Sequence, residues 1–373
     1  MKRKGLITTV SFLLIIAIFS LGSLILPDRS FSDNENRGLQ PFPKMTLSSV
    51  VRGETQALIN DYASDQLIFR DGLITFKTCL QYASGKRDIG GVYIGKDGQY
   101  IDKLLESDLD PAVFKSNLSA IQLFFDNTKK TKPNINLYLL PIPTSAVSVG
   151  DTLPTGAKLF SQEDKLKSLK SVTGATYIDV YSVFANSSEQ LYYKTDPHWT
   201  EDGAYLAYTK FCETANKDIA PYDMHTLGSD NFKGTLYSKA PLPFSKSDKV
   251  MLYDVNACDD YTVNIGSKTS KSIYKKEFLE KKDNYSVFLG GNQPLVTVSG
   301  GEGKGHLLVI RDSFASSMLP YLMKSYESVS LVDTRYFVGS LNTLISENNY
   351  NDILIMLGVK NLVEDKTIPI ILG

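Results

Sequence analysis

The chain has 373 residues, of which 42% are apolar and 22% are charged, and its formal net charge at pH 7 is −1. This composition is typical of a folded globular protein and excludes a wholly disordered chain. Because 40 basic residues balance 41 acidic ones, we predict no nucleic-acid partner. The widely spaced Cys79, Cys212 and Cys258 predict free thiols, with one extracytoplasmic disulfide as the alternative.

The first predicted element is a membrane-spanning helix. Three basic residues at positions 2–4 precede an uncharged run over residues 6–26. At about 1.5 Å per residue the run is about 31 Å long, which matches the hydrocarbon core of a bilayer. The basic flank predicts a cytoplasmic N-terminus, with the rest of the chain outside the cell and held in the cell membrane by a single pass. A cleaved signal peptide is the alternative, which the length of the run disfavours.

The remaining chain predicts a linker and one large α/β domain. Residues 1–27 form the predicted tail and anchor, residues 28–46 a polar linker or arm, and residues 47–373 the domain. Apolar residues at helical spacing predict helices within residues 47–84, broken at Asp71–Gly72. These apolar residues are Leu58, Tyr62, Leu67, Leu73, Phe76 and Leu80. A hairpin over residues 92–101 and a helix over residues 111–129 follow.

Short apolar runs then alternate with helical patterns, which predicts a mainly parallel sheet covered by helices on both faces. The predicted strands cover residues 135–140, 177–180, 307–310, 329–332 and 353–357. The polar stretch from about residue 218 to residue 305 interrupts this alternation, and we predict a β-rich insertion there with a strand at 285–289. Ligands of parallel sheets bind at the carboxyl ends of the strands, which is where functional residues are expected.

The most informative segment is Asp196-Pro197-His198-Trp199. Pro197 favours an extended conformation for the residue before it, and in an extended backbone residues i and i+2 point to the same side. Asp196 and His198 should therefore lie together on a loop that leads into a helix capped by Thr200. A structural ion pair is one alternative, and a metal site is another. Since no further His or Cys cluster lies nearby, we predict no metal.

A second segment, Arg311-Asp312-Ser313, lies where the predicted strand 307–310 passes into a helix. This junction places a serine hydroxyl at the edge of the sheet, beside the backbone N–H groups of a helix start. A helix-capping serine is the alternative. A serine nucleophile needs a base and an acid that orients the base. Since His198 and Asp196 supply that pair, we predict Ser313 as nucleophile, His198 as base and Asp196 as the orienting acid.

Together these two segments make the chain resemble the SGNH-hydrolase superfamily with its sequence blocks rotated. The Asp-Pro-His-Trp segment precedes the Asp-Ser segment, an order similar to that of the AlgX/AlgJ-like branch and in particular the DHHW family. The resemblance implies an SGNH/flavodoxin-like α/β fold and the same three roles for Ser313, His198 and Asp196. Two positions depart from the family pattern: Pro197 replaces the first His of Asp-His-His-Trp, and Arg311 replaces the Gly of Gly-Asp-Ser.

The resemblance also implies an asparagine that stabilises an oxyanion, for which Asn361 and Asn292 are the candidates. Arg335, which follows a predicted strand, is a candidate for substrate binding or a partner of Asp333. Trp199, the only tryptophan, is the second candidate for substrate binding.

The function implied by the family is O-acetylation of an exported or cell-surface polysaccharide, as in exopolysaccharide biosynthesis at the cell envelope. A membrane partner of the MBOAT class would supply the acetyl groups, and no cofactor is expected. The same three residues would equally serve a carbohydrate esterase, because both reactions pass through an acyl-enzyme. A non-catalytic, membrane-anchored module that binds glycan or scaffolds a complex is the remaining alternative.

Overall fold

A computed structural model describes residues 2–32, 34–35 and 37–373. Met1, in the predicted tail, and Asp33 and Asn36, in the predicted linker, lie outside the described residues. The described chain forms two compact units. One contains the residues up to Ile89 together with Ser238–Ser245, and the other contains Gly90–Tyr237 and Lys246–Gly373. The domain boundaries predicted at residues 27 and 46 stay predictions.

The described helices are α1 (Lys2–Ile25), α2 (Leu47–Val51), α3 (Glu54–Asp65), α4 (Arg70–Ala83), α5 (Pro111–Thr131), α6 (Ala146–Val149), α7 (Gln162–Lys170), α8 (Val180–Ala185), α9 (Glu201–Ala215), α10 (Thr235–Lys239), α11 (Val255–Cys258), α12 (Ala315–Ser325), α13 (Leu341–Glu347), α14 (Val359–Glu364) and α15 (Ile368–Leu372). The strands are β1 (Phe31–Ser32), β2 (Arg37–Gly38), β3 (Asp88–Ile89), β4 (Val92–Ile94), β5 (Tyr100–Asp102), β6 (Asn136–Ile142), β7 (Thr176–Tyr177), β8 (His225–Phe232), β9 (Asp248–Tyr253), β10 (Thr262–Ile265), β11 (Lys268–Ser270), β12 (Leu295–Ser299), β13 (His306–Arg311), β14 (Ser328–Asp333) and β15 (Asp352–Gly358).

The first unit contains α1 to α4. Within α1, residues Gly5–Ser23 are long and apolar enough to cross a membrane, so α1 is a candidate membrane span or signal sequence. Helices form between residues 47 and 84 as predicted, but the break before α4 lies at residues 66–69 rather than at Asp71–Gly72. Phe69, the residue before α4, has a φ of 58°, and this left-handed turn sets the direction of α4.

The second unit is built on an eight-stranded sheet with the order β11-β10-β12-β14-β13-β15-β6-β7. The five strands from β14 to β7 are parallel, and the three strands from β12 to β11 are added antiparallel at one edge. The predicted large, mainly parallel sheet is therefore confirmed. The stretch 218–305 supplies the antiparallel strands β10 to β12 and the separate β8–β9 pair. The predicted strand at 285–289 is wrong, because Asn284–Val287 forms a 3-10 turn.

The central strand β13 shows why the sheet is covered on both faces. Leu307 and Val309 belong to the core packed against α9 and α12, whereas Leu308 and Ile310 belong to the core packed against α5, α14 and α15. All four side chains are fully buried, as expected for a strand whose alternate residues face helices on opposite sides. Ser313, Arg335 and Asn361 follow the carboxyl ends of β13, β14 and β15, which are neighbouring parallel strands.

Candidate active site

The loop before α9 presents Asp196 and His198 as the sequence predicts. The N–H of Tyr193 donates to the carbonyl of His198 at 3.1 Å, and the N–H of Thr200 donates to the carbonyl of Leu191 at 2.9 Å, which closes a tight hairpin. Helix α9 then begins with the predicted cap, since the Thr200 hydroxyl accepts from the N–H of Gly203. These backbone hydrogen bonds hold the loop that carries Asp196 and His198 in one conformation.

Asp196 lies behind His198, away from solvent. Its Oδ1 accepts from the backbone N–H of His198 at 3.1 Å and lies 2.5 Å from the ring Nδ1. Its Oδ2 accepts from the backbone N–H and the hydroxyl of Thr235, at 2.8 and 3.1 Å. Burial by itself raises the pKa of this carboxyl, but His198 and the backbone donors outweigh burial and hold the pKa below its ordinary value. Asp196 therefore stays ionised and fixes a proton on Nδ1.

Gly234 lets the next segment approach the carboxylate. A Cβ at this position would lie 2.2 Å from Oδ2 of Asp196, a distance that no side chain tolerates. The N–H of Gly234 also donates to the hydroxyl of Thr195 at 3.1 Å. Because Gly234 has no side chain, Thr235 can reach Asp196 with both of its donors.

Ser313 lies directly in front of the other ring nitrogen. Its Oγ is 2.7 Å from Nε2 of His198, so the hydroxyl donates to the ring when the proton resides on Nδ1. The residue sits two positions after β13 and just before α12. The N-cap position belongs to Phe314, which makes no side-chain cap, and the alternative of a capping Ser313 is therefore wrong. In the structure, consecutive hydrogen bonds connect Asp196 to His198 and His198 to Ser313.

Tyr285 holds the plane of the histidine ring. The two rings stack with centroids 3.9 Å apart and an interplanar angle of 11°. The Tyr285 hydroxyl lies 3.1 Å from both the carbonyl oxygen of Ser313 and the hydroxyl of Ser317. Burial keeps the pKa of Tyr285 far above its ordinary value, so the phenol is neutral. Tyr285 thus links the serine junction to the face of the base.

Asp312 organises the turn around Ser313. Its Oδ1 accepts from the N–H of Phe314 at 3.1 Å, and its Oδ2 accepts from the N–H of Gly358 at 2.6 Å and from Nδ2 of Asn361 at 2.7 Å. The N–H of Phe314 at the helix start is thereby occupied. Asn361, the first oxyanion candidate, donates one hydrogen of its amide group to Asp312. Its second amide hydrogen remains for another acceptor.

Arg311, which replaces the family glycine, has no exposed surface. Burial lowers the pKa of its guanidinium, and the carboxylate of Asp333, 3.6 Å away, shifts the pKa in the opposite direction. Its Nη1 donates to Oδ1 of Asn292 at 3.4 Å, so the second oxyanion candidate is engaged as an acceptor. Arg335 binds both oxygens of Asp333, at 2.9 and 2.7 Å. Arg335 is therefore the partner of Asp333, which is the second of its two predicted roles, and 26% of its side chain remains exposed.

Trp199 is fully buried, which leaves it no surface for a substrate. Its Nε1 donates to Oγ of Ser317 at 2.8 Å, and its ring packs on Phe314 and Phe184. The substrate-binding role expected for Trp199 is corrected to one of packing: the tryptophan ties the histidine loop to the first turn of α12.

Thr235 and Tyr285 are the site residues that sequence reasoning missed. Both lie in the stretch 218–305, which we predict to be a β-rich insertion and in which Asn292 is the one predicted site candidate. Gly234-Thr235 carried a local signal, since a glycine beside a hydroxyl residue is suited to a close approach. Tyr285 had no such signal, because a tyrosine that stacks on a histidine is indistinguishable in sequence from the many tyrosines of the core.

The chain is similar to one family model and to several solved structures. The family model described as DHHW protein matches residues 165–332, a range that contains Asp196, His198 and Ser313, and confirms the family resemblance. A DHHW family protein from Eubacterium siraeum DSM 15702 is similar in structure, with a TM-score of 0.64 at 23% identity, covering 75% of this chain and 95% of that chain. Bacillus cereus PatB1 gives a TM-score of 0.61 at 20% identity, covering 74% and 98%.

A structure of Bacillus cereus PatB1 with a sulfonyl adduct gives a TM-score of 0.60 at 19% identity, covering 74% of this chain and 96% of that chain. At these identities the three solved structures show a shared fold. No curated protein sequence matches the chain.

Proposed function

Because the chain matches the DHHW family over the range that contains Asp196, His198 and Ser313, we propose that it is a serine-dependent O-acyltransferase. The acyl group is acetyl, and the acceptor is a hydroxyl group of an exported or cell-surface polysaccharide. The observation that carries the proposal is the line from Asp196 through His198 to Ser313, with contacts of 2.5 and 2.7 Å. A serine with this support is an activated nucleophile.

The first half-reaction forms an acyl-enzyme. Oγ of Ser313 attacks the carbonyl carbon of an acetyl ester while Nε2 of His198 takes the hydroxyl proton. Asp196 stabilises the imidazolium that results. When the tetrahedral intermediate collapses, the bond to the donor's oxygen breaks, and His198 returns the proton to that oxygen.

The second half-reaction transfers the acetyl group. A sugar hydroxyl attacks the acyl-enzyme, His198 takes its proton, and the bond to Oγ breaks as the proton returns to Ser313. Atoms and charges balance without a cofactor. Water in place of the sugar gives hydrolysis, so access of water to the intermediate decides between a transferase and an esterase.

Two groups are suited to the negative charge on the intermediate. The first is the backbone N–H of Ser313 itself, at the strand-to-helix junction. The second is the free amide hydrogen of Asn361, whose other hydrogen is held by Asp312. Asn292 is the alternative donor, since the contact with Arg311 engages its Oδ1 and not the amide Nδ2 that would donate.

A small cavity supports acetyl as the transferred group. It has a volume of about 50 Å³ and is flanked by Pro197, next to His198, and by Phe314, next to Ser313. Ile101, Ile142 and Val359 contribute further apolar lining. A volume of this size holds a few water-sized groups, which is enough for an acetyl group.

The proposal also includes the location of the glycan acceptor and the membrane topology of the chain. With α1 retained as an anchor, the second unit lies outside the cell, where exported glycans are accessible. A membrane partner of the MBOAT class would deliver the acetyl group from the cytoplasmic side. Arg335, whose side chain is partly exposed at the carboxyl edge of β14, is available for the acceptor.

The test is an acetyl-transfer assay with the full chain in detergent or vesicles. An acetyl ester donor is supplied with glycan oligosaccharides, and mass spectrometry measures acetylated glycan and free acetate. We expect acetylated glycan from the native chain and neither product above background from Ser313→Ala. Free acetate alone would replace the transferase with an esterase. Turnover that survives in Ser313→Ala would refute the serine mechanism, and absence of turnover with every ester would favour the non-catalytic module.

A further inference from the structure

Helix α4 has an inverted distribution of apolar and polar side chains. Leu73, Phe76 and Leu80 recur at intervals of three and four residues and so lie on one face of α4, and Phe69 immediately precedes the helix; these four residues are here called the apolar stripe. Their exposed fractions are 68, 38, 62 and 56%. The one residue of α4 that is buried is the polar Thr78, at 3% exposure. A helix on the surface of a soluble unit normally has the opposite arrangement.

The start of α4 is tied to the end of the apolar span in α1. The backbone N–H of Ile68 donates to Oγ of Ser23 at 3.1 Å. A Cβ on Gly22 would lie 2.9 Å from Cδ1 of Ile68, so the two segments are in close contact. Arg29, which follows α1, pairs with Asp71 in the first turn of α4 at 3.1 Å. These contacts place Phe69 level with the end of the span Gly5–Ser23.

The surroundings of the apolar stripe suit a lipid surface. The same unit exposes further large apolar side chains, at Phe42, Met45, Leu47, Val50 and Val51. Lys77 is exposed next to Phe76, and Lys86 is exposed just beyond the end of α4. Lysines beside an apolar face extend their charge to anionic headgroups while their stems stay with the apolar groups.

We propose that α4 lies in the plane of the outer membrane surface, with the apolar stripe in contact with lipid. The argument is continuity: a helix that begins where a membrane span ends, and that exposes a row of large apolar side chains, meets acyl chains at that level. About 20 Å of helix would then rest on the bilayer. The anchor and α4 would together fix the orientation of their unit, where α1 alone would allow it to swivel.

The test is quenching of tryptophan fluorescence by brominated lipids. The full chain with α1 intact is reconstituted into vesicles of phosphatidylcholine and phosphatidylglycerol, with and without bromine on the acyl chains. The substitution Phe76→Trp places a reporter in the apolar stripe, and the buried Trp199 of the native chain gives a constant background. Leu123→Trp, at a residue of α5 in the second unit that is 49% exposed, is the matched control.

We expect brominated lipid to lower the fluorescence of the Phe76→Trp reporter by about half, with little effect on the Leu123→Trp reporter. Adding Leu73→Asp and Leu80→Asp to Phe76→Trp should remove most of this quenching, because charged side chains resist contact with acyl chains. Near-ultraviolet circular dichroism checks that each variant is folded. Equal quenching of both reporters, or none at Phe76→Trp, would overturn the proposal, the second result favouring a protein partner on the apolar stripe.

Discussion

Two histidines of the second unit, His198 and His225, make nearly the same contacts and differ in what they can do. Nε2 of His225 lies 2.6 Å from the Tyr321 hydroxyl, much as Nε2 of His198 lies 2.7 Å from that of Ser313. Nδ1 of His225 meets the carbonyl of Tyr222 at 2.7 Å, whereas Nδ1 of His198 meets a carboxylate at 2.5 Å.

The difference lies in charge and access. A carbonyl fixes the tautomer of His225 but supplies no full negative charge for an imidazolium, and burial lowers the pKa of His225. The hydroxyl that faces His225 belongs to Tyr321, which has no exposed surface. A hydrogen-bonded histidine and hydroxyl therefore do not make an active site; an ionised partner and a hydroxyl at the edge of the sheet are also needed.

The largest effect should come from removing the nucleophile or the base. Ser313→Ala and His198→Gln should each lower ester turnover by about 10⁴-fold or more, and the double variant should be no worse, since such residues act as one unit. The matched control is His225→Gln, which should leave turnover within about twofold because His225 has no nucleophile or carboxylate. Steady-state kinetics on an acetyl ester measures all four proteins. A loss of activity in folded His225→Gln would reverse the assignment of the two histidines.

A smaller effect should come from moving the carboxylate. In Gly234→Ala the new Cβ collides with Asp196, so Asp196 or the segment around Thr235 must shift. We expect kcat to fall by about 100-fold, as for a displacement of about 1 Å in a catalytic group. Gly150→Ala is the control, because a Cβ there meets nothing within 4 Å. Equal kcat in the two variants would show that the position of Asp196 is unimportant.

A still smaller effect should separate ring stacking from hydrogen bonding at Tyr285. Tyr285→Leu removes the ring that faces His198 and should lower kcat by about fivefold, in line with about 1 kcal/mol for an aromatic pair. Tyr285→Phe keeps the stacked ring and loses only the hydroxyl contacts, so it should retain most of the kcat. Binding of the ester, measured through KM, should change little in either variant. If Tyr285→Phe is as impaired as Tyr285→Leu, the hydroxyl rather than the ring positions the base.

Titratable groups near His225 should affect the stability of the folded chain rather than ester turnover. Glu201, whose backbone carbonyl accepts from Tyr321, is buried and accepts from the Tyr193 hydroxyl at 2.7 Å, and burial raises its pKa to about 8. The native state therefore keeps the neutral acid, and the stability that this contributes is lost as the pH rises from about 4.5 to about 8.

Glu201→Gln should flatten that loss, so that thermal unfolding at about pH 9 moves closer to its value at about pH 5. Glu213→Gln, on the same helix but 52% exposed, should leave the pH dependence of the native chain unchanged. Identical profiles for all three proteins would mean that Glu201 is ionised in the folded chain.

The sequence predicted that Asp196, His198 and Ser313 lie together because the determinants of this arrangement are local. An extended Asp-Pro-His and a serine after a buried strand depend on neighbouring residues, and parallel strands bring their carboxyl ends together. Tyr285 and Thr235 could not be predicted, since they reach the site from a distant stretch through packing. Leu73, Phe76 and Leu80 of the apolar stripe were correctly predicted to be helical. Periodicity does not show whether an apolar face is buried or exposed, and here the apolar face points outward.

The most direct test of the central claim is covalent labelling by an arylsulfonyl fluoride. A sulfonyl group transferred to an activated serine stays there, so digestion and mass spectrometry locate it. The account predicts a single modified residue, Ser313, labelled at a rate that falls sharply in His198→Gln and not in His225→Gln. Labelling at another residue, or equal rates in the two histidine variants, would contradict the claim that Asp196, His198 and Ser313 work as one nucleophilic unit.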